Sequence, residues 1–172
     1  MEQHGRARPL AQILRNLVRW GLLSLCALVW AGCRTTAPPQ RGDEMTPRGW
    51  PVERAAAFVS SSYGIRQGGR FHNGVDFAAP KGTPVFATAP GEVVYADRDG
   101  SGYGRLIRLA HGDGLETWYA HLKKISVRRG KMIRRGQQIG TVGASGRATG
   151  PHVHYEIRRG GRPVDPVPYL GK

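Results

Sequence analysis

From Trp50 onward the apolar residues fall in short runs with a period of two, separated by glycine and proline. Val85 to Thr88, Glu92 to Ala96, Arg105 to Ala110, Leu115 to Leu122, Met132-Ile133 and Gln138 to Val142 each read as a short strand. Asp113-Gly114 between two β-rich runs signals a hairpin, and Asp97 to Gly104 reads as a glycine-rich loop. In the run from His152 to Arg158, alternation puts His152, His154 and Glu156 on one face and Val153, Tyr155 and Ile157 on the other. The same period sets Thr117, Tyr119 and His121 against Trp118, Ala120 and Leu122, and ends that strand with His121 on a face that a groove can use. His72 and Asp76 have helical spacing, but Asn73-Gly74 and Pro80 oppose a helix, so a turn is expected to bring the two together. Ala55 to Ala57 favour a short helix over Glu53–Phe58. Helical periodicity is otherwise nearly absent. The prediction is an all-β fold of antiparallel sheets.

The leading segment follows another pattern. Residues 1–20 hold Arg6, Arg8, Arg15 and Arg19 against one acid, Glu2, and Trp20 to Gly32 is an uncharged, mostly apolar run of 13 residues. A membrane span needs roughly 20 such residues. A basic start, a short apolar stretch and a small-residue exit read as a secretory signal. The exit, Trp30-Ala31-Gly32-Cys33, resembles the bacterial lipoprotein processing box, in which the cysteine is lipidated and becomes the new N-terminus. Trp30 departs from the usual Leu-like residue; plain secretion and an uncleaved anchor are the other readings. Pro38, Pro39 and Pro47 interrupt a stretch without apolar periodicity. The expected organisation is a signal over 1–32, a flexible tether over 33–49, one folded domain over 50–168 and a tail over 169–172. Cys26 and Cys33 are the only cysteines, so a lipidated Cys33 leaves the domain without disulfides.

The formal net charge of +14 has two readings. One is an anionic partner, such as a wall polymer or a lipid surface; the other is a solvated, arginine-rich surface. The arginines are scattered and no nucleic-acid motif is present, which argues against a nucleic-acid partner.

Of the histidines, His4 lies in the signal and His111 in a hairpin turn, where solvation is expected. His72, His121, His152 and His154, with Asp76, remain as candidates for a metal site, since imidazole and carboxylate are common ligands. Spacing alone does not decide which of His152 and His154 would be a ligand. Three stretches, in order, are more specific: Phe71-His72-Asn73-Gly74-Val75-Asp76 with Ala79 to Val85, Tyr119-Ala120-His121-Leu122, and Thr149 to Arg158. Together they resemble the lysostaphin/LytM-type zinc metallopeptidases of bacterial cell walls, over about Trp50 to Pro166.

The resemblance implies a β-sandwich with an open groove and one Zn2+ held by His72, Asp76 and His154. Three protein ligands with a fourth position open is the pattern of catalytic zinc. It implies that His121 and His152 are catalytic, orienting or deprotonating the attacking water and stabilising the oxyanion. The implied function is a zinc-dependent endopeptidase that hydrolyses peptide cross-links of peptidoglycan with a metal-activated water. It would work in the cell envelope, tethered to the membrane through Cys33. Relatives that have lost ligands act as activators of other wall hydrolases, so the alternative is a non-catalytic wall-binding or activating module. All five positions are present here, which favours the enzyme. The expected bond is a D-Ala–diaminopimelate link, with a polyglycine bridge as the alternative. Tyr63, Arg66, Tyr103 and Arg147 read as groove-lining or solvated, Trp118 and Phe77 as core, and Glu156 as either orienting the site or solvated.

Overall fold

The computed structural model describes residues 44–171. The alternating runs become strands β1 (Phe58–Ser61), β2 (Gly64–Ile65), β3 (Phe71–His72), β4 (Val75–Ala78), β5 (Pro84–Phe86), β6 (Gly91–Asp99) and β7 (Gly104–Ala110). Then follow β8 (Leu115–Ala120), β9 (Lys124–Ile125), β10 (Met132–Ile133), β11 (Gln138–Thr141), β12 (His152–Arg159) and β13 (Arg162–Val164). The strands pair antiparallel in three sheets: β1-β4-β12-β8-β7-β6-β10 with β13 beside β12, then β5-β11-β9, then β2-β3. The Glu53–Phe58 segment does not form the expected helix. Arg54–Ala56 makes one 3-10 turn and Phe58 already begins β1, because pairing of Phe58 and Val59 with Ala78 and Phe77 outweighs the alanine propensity. Strand β6 runs on to Asp99, so the glycine-rich loop is shorter than its sequence suggests.

Strand β12 is the axis of the large sheet. One edge pairs with β4 at His152 to Tyr155 and with β13 at Ile157 to Arg159; the other edge pairs with β8. Val153, Tyr155 and Ile157 point inward with Phe77, Tyr119 and Leu109, and meet Val85 and Ile139 of the three-stranded sheet; all are fully buried. Each such side chain contributes roughly 1.5–3 kcal/mol through burial. The opposite face of β12 is thereby left for His152, His154 and Glu156.

Two side chains sit otherwise than the sequence suggests. His111 is not solvated: it is 2 % exposed. Its Nδ1 donates to the Pro90 carbonyl at 2.6 Å, and its Nε2 is hydrogen-bonded to the Thr117 hydroxyl at 2.8 Å. A buried hydroxyl chain continues through Tyr119 and Thr88 to Tyr155. Burial pushes the His111 pKa down, against the opposing bond to Pro90. Nor is Trp118 core: it lies half-buried between the guanidinium groups of Arg108 and Arg158, 4.5 and 4.2 Å from its ring centroid. Phe77, by contrast, is core, at 0 % exposure.

The folded body starts before Trp50. Pro47 is buried, Arg48 and Gly49 donate backbone N–H to Thr88 and Tyr169, and Arg135 donates to the carbonyls of Glu44 and Thr46. At the other end, Tyr169 closes a 3-10 turn and Leu170 is buried. Cys33, the expected signal and the expected tether up to residue 43 lie outside the described residues. Among the described residues no helix is long and apolar enough to cross a membrane.

Candidate metal centre

His154 and Asp76 are direct cross-strand partners on β12 and β4, and such partners project from the same face of the sheet. His72 ends β3, and Asn73-Gly74 turns the chain into β4. Glycine is needed at position 74: a Cβ there would overlap the Tyr155 carbonyl oxygen. This close approach lays His72 over the sheet. Its Nε2 is 3.1 Å from Asp76 Oδ1 and 3.0 Å from His154 Nδ1, and His154 Nδ1 is 2.8 Å from Asp76 Oδ1. All three side chains are buried, and together they can hold a metal ion.

The outer ring nitrogens are already engaged. His72 Nδ1 donates to the Ser62 carbonyl at 2.7 Å. His154 Nε2 donates to Glu156 Oε1 at 2.9 Å. Each imidazole is therefore held with its other nitrogen toward Asp76. Two nitrogens and one carboxylate oxygen, each oriented by a hydrogen bond from behind, fit zinc. Burial opposes the Asp76 charge, but hydrogen bonds and charge from His154 and His72 outweigh it and hold the carboxyl far below its usual range. Burial likewise opposes the His154 cation, and the bonds to Asp76 and Glu156 overcome it, so its pKa is raised in the metal-free chain.

His121 and His152 stand beside this group, ring centroids 4.7 Å apart. His121 Nδ1 donates to the Ser145 carbonyl at 2.7 Å and His152 Nδ1 to the Gly150 carbonyl at 2.9 Å. A carbonyl can only accept, so in each neutral ring the proton sits on Nδ1 and Nε2 is bare. His152 Nε2 is 3.8 Å from Asp76 Oδ1, outside the closer trio. Burial, with repulsion from His152 and His154, lowers the His121 pKa to about 4 despite the bond to Ser145, so the ring is neutral near pH 7.

The route by which His121 reaches the groove differs from its alternation. The face of Thr117 and Tyr119 is core, at 0 % exposure. Strand β8 stops at Ala120, and His121 takes φ of +61°. That left-handed step, which costs a non-glycine residue about 1 kcal/mol or more, turns the imidazole to the groove and lets Leu122 return to the core.

Glu156 is not solvated; it is 0 % exposed. Besides His154 it accepts from Tyr103 Oη at 2.7 Å and Arg158 Nη1 at 2.7 Å. Burial, and then the Glu156 carboxylate, push the Tyr103 pKa up to about 12. Arg66 donates to Asp76 Oδ2 at 2.5 Å. Tyr103, Arg66 and Arg147 all line the groove, while Tyr63 packs edge-on against Phe71, which also lines it. The carbonyls of Ser62, Ser145 and Gly150 are site components with no side-chain signal in the sequence.

Comparison with known proteins agrees with this geometry. Residues 70–166 match the model of Peptidase family M23. The DD-carboxypeptidase/endopeptidase Mpg of Neisseria meningitidis serogroup B is 47% identical over 114 residues, 63% of this chain and 26% of that protein. The murein hydrolase activator NlpD of Escherichia coli is 39% identical over 121 residues, 70% of this chain and 30% of that protein. Among solved structures, the catalytic domain of the antimicrobial peptidase lysostaphin from Staphylococcus simulans matches with a TM-score of 0.62 and 36% identity, covering 66% of this chain and 92% of that one. The chain spans about a quarter of the length of the curated relatives it matches. With its residues 70–166 matched and its antiparallel sheets shared, the chain belongs to Peptidase family M23, close to the lysostaphin/LytM-type peptidoglycan endopeptidases.

Proposed function

We propose that this chain is a zinc-dependent endopeptidase that hydrolyses peptide cross-links of peptidoglycan in the bacterial envelope. One observation carries the reading: His72, Asp76 and His154 present their donor atoms within 3.1 Å of one another, and two further imidazoles turn bare Nε2 atoms to the same groove. Zinc held by His72, Asp76 and His154 would polarise a peptide carbonyl and lower the pKa of water toward about 7.

The chain's own residues handle the protons. Nε2 of His121 or His152 accepts a proton from the attacking water and returns it to the leaving amine nitrogen. The protonated ring, held by its carbonyl, also offers an N–H to the developing oxyanion. Glu156 fixes the His154 ring, and Arg66 holds the outer oxygen of Asp76. The groove has a volume of about 330 Å3, within the range of ligand clefts, and is open enough for an extended peptide.

The name of the Mpg relative supports a bond between D-configured residues, such as a D-Ala–diaminopimelate link. Export by the 1–32 signal and lipidation at Cys33 would place the enzyme at the membrane, facing the wall. The NlpD relative supports a second reading, an activator of another wall hydrolase on the same scaffold. The complete set of five side chains favours the enzyme. The test is digestion of purified sacculi by the zinc-loaded chain, with mass spectrometry of what is released. Fragments that vanish on chelation and return with zinc support the enzyme. A zinc-loaded chain that releases none, yet stimulates an added wall hydrolase, sinks it in favour of the activator.

A further inference from the structure

The charges lining the groove do not balance. Its acids are both occupied: Asp76 by His72, His154 and Arg66, and Glu156 by His154, Tyr103 and Arg158. Two more guanidinium groups line the same groove, those of Arg70 and Arg147. Both are exposed, and neither has a side-chain hydrogen bond or ion pair among the described residues. Arg70 directly precedes β3, the strand that ends in His72. Arg147 lies in the loop before β12; its backbone N–H bonds to the Gly102 carbonyl at 2.8 Å and its side-chain stem packs over Gly102. Gly102 here takes φ of +125° and has no side chain to displace that stem. The backbone of each arginine is fixed by a short structured segment while its cation has no partner among the described residues.

We infer that Arg70 and Arg147 are specificity-determining residues that bind a carboxylate of the substrate peptide next to the bond to be cut. This deepens the proposed function and rests on it for the identity of the peptide. A guanidinium offers a planar fork of N–H donors that matches a carboxylate. An uncharged glycine bridge would gain nothing from either cation, whereas a stem peptide brings carboxylates to the groove. Two kinds are available on such a peptide: the free side-chain carboxylate of a diamino diacid, and a C-terminal carboxylate. The first suits cutting within a cross-link, the second trimming of a chain end.

The experiment measures binding, so that it stands apart from catalysis. The full metal-free chain is titrated calorimetrically with a diaminopimelate-containing stem peptide in three forms: carboxylates free, the diaminopimelate side-chain carboxylate amidated, and the C-terminal carboxylate amidated. Amidation of the carboxylate that is bound weakens affinity about twofold to fivefold, as for exposed ion pairs. The form that loses affinity identifies the source. Arg70→Gln and Arg147→Gln lower that discrimination, and the double variant erases it, while Arg70→Lys and Arg147→Lys retain part of it. Equal binding of all three forms overturns the inference, as does undiminished discrimination in the double Gln variant or no binding of the free-carboxylate peptide. Cleavage of the same peptides by the zinc-loaded chain is scored separately. Binding as expected without cleavage counts against the proposed enzyme and leaves the carboxylate site standing.

Discussion

His154 Nε2 lies 2.9 Å from Oε1 of Glu156, a carboxylate with no exposed surface. Two residues apart on a strand, the pair shares a face, so the carboxylate stands directly behind the imidazole. It fixes the ring so that Nδ1 points to Asp76 and His72. Glu156→Gln keeps an acceptor but loses the charge, and is expected to weaken zinc binding about 10-fold to 100-fold, as is usual for such supporting partners. Competition with a chromophoric chelator measures it. Glu156→Ala additionally removes the acceptor of Arg158 Nη1 and of Tyr103 Oη, so its melting temperature also falls. Unchanged zinc affinity in both variants refutes the orienting role.

The donor trio and the two neighbouring histidines are expected to separate experimentally. His154→Ala and Asp76→Ala abolish stoichiometric zinc and cleavage together. His121→Ala and His152→Ala retain zinc, because neither ring belongs to the close trio, but lower kcat/KM by roughly 10²–10⁴. Zinc content is read by elemental analysis, and cleavage by chromatography of a defined cross-linked peptide. Cleavage retained by His154→Ala contradicts its place among the ligands.

The period-two alternation of β12 makes its two faces legible in the sequence, because Val153, Tyr155 and Ile157 have only the core to enter. The residues whose placement depends on another part of the chain were harder to read. His121 leaves its alternation through one positive φ, which no hydrophobic pattern encodes. His111 is buried by Pro90 and Thr117, which approach from outside its own turn. Trp118 has the composition of a core residue, but its register opposite Glu156 puts it on the site face, under two arginines. Glu156 itself was ambiguous because its cover, Tyr103, comes from a turn about fifty positions away. Local pattern fixes a strand's faces; what lies over each face is decided by long-range pairing.

Gly74 carries the approach of the His72 turn to β12. A methyl group there meets the Tyr155 carbonyl oxygen and carbon, which are backbone atoms that cannot rotate away. Gly74→Ala is expected to destabilise the fold by about 1–3 kcal/mol, the range for overpacking a filled site. Zinc affinity should fall with it, since relief of the clash moves His72 off the sheet. Gly150→Ala is the control, because nothing lies within 4 Å of its Cβ position. Urea unfolding of the three proteins gives the comparison, and equal midpoints for wild type and Gly74→Ala contradict it.

His111 ties stability to pH at a distance from the metal centre. Its folded pKa is depressed below the ordinary 6.5, with burial as the first cause, the bond to Pro90 opposing, and the charges of Arg135 and Glu116 acting in opposite senses. The unfolded chain therefore binds a proton that the folded chain refuses between the two pKa values. Stability rises with pH wherever the unfolded state binds more protons. The His111 contribution is thus fully present above about 6.5 and is lost as pH falls toward the depressed folded value. His111→Gln can donate to Pro90 and hydrogen-bond to Thr117 without titrating. The free-energy difference between wild type and His111→Gln, from urea unfolding across a pH series, is expected to stay constant above 6.5 and to shift in favour of the variant below it. Parallel pH curves for the two proteins would mean that the imidazole titrates alike in the folded and unfolded chains, and would contradict the effect of its burial.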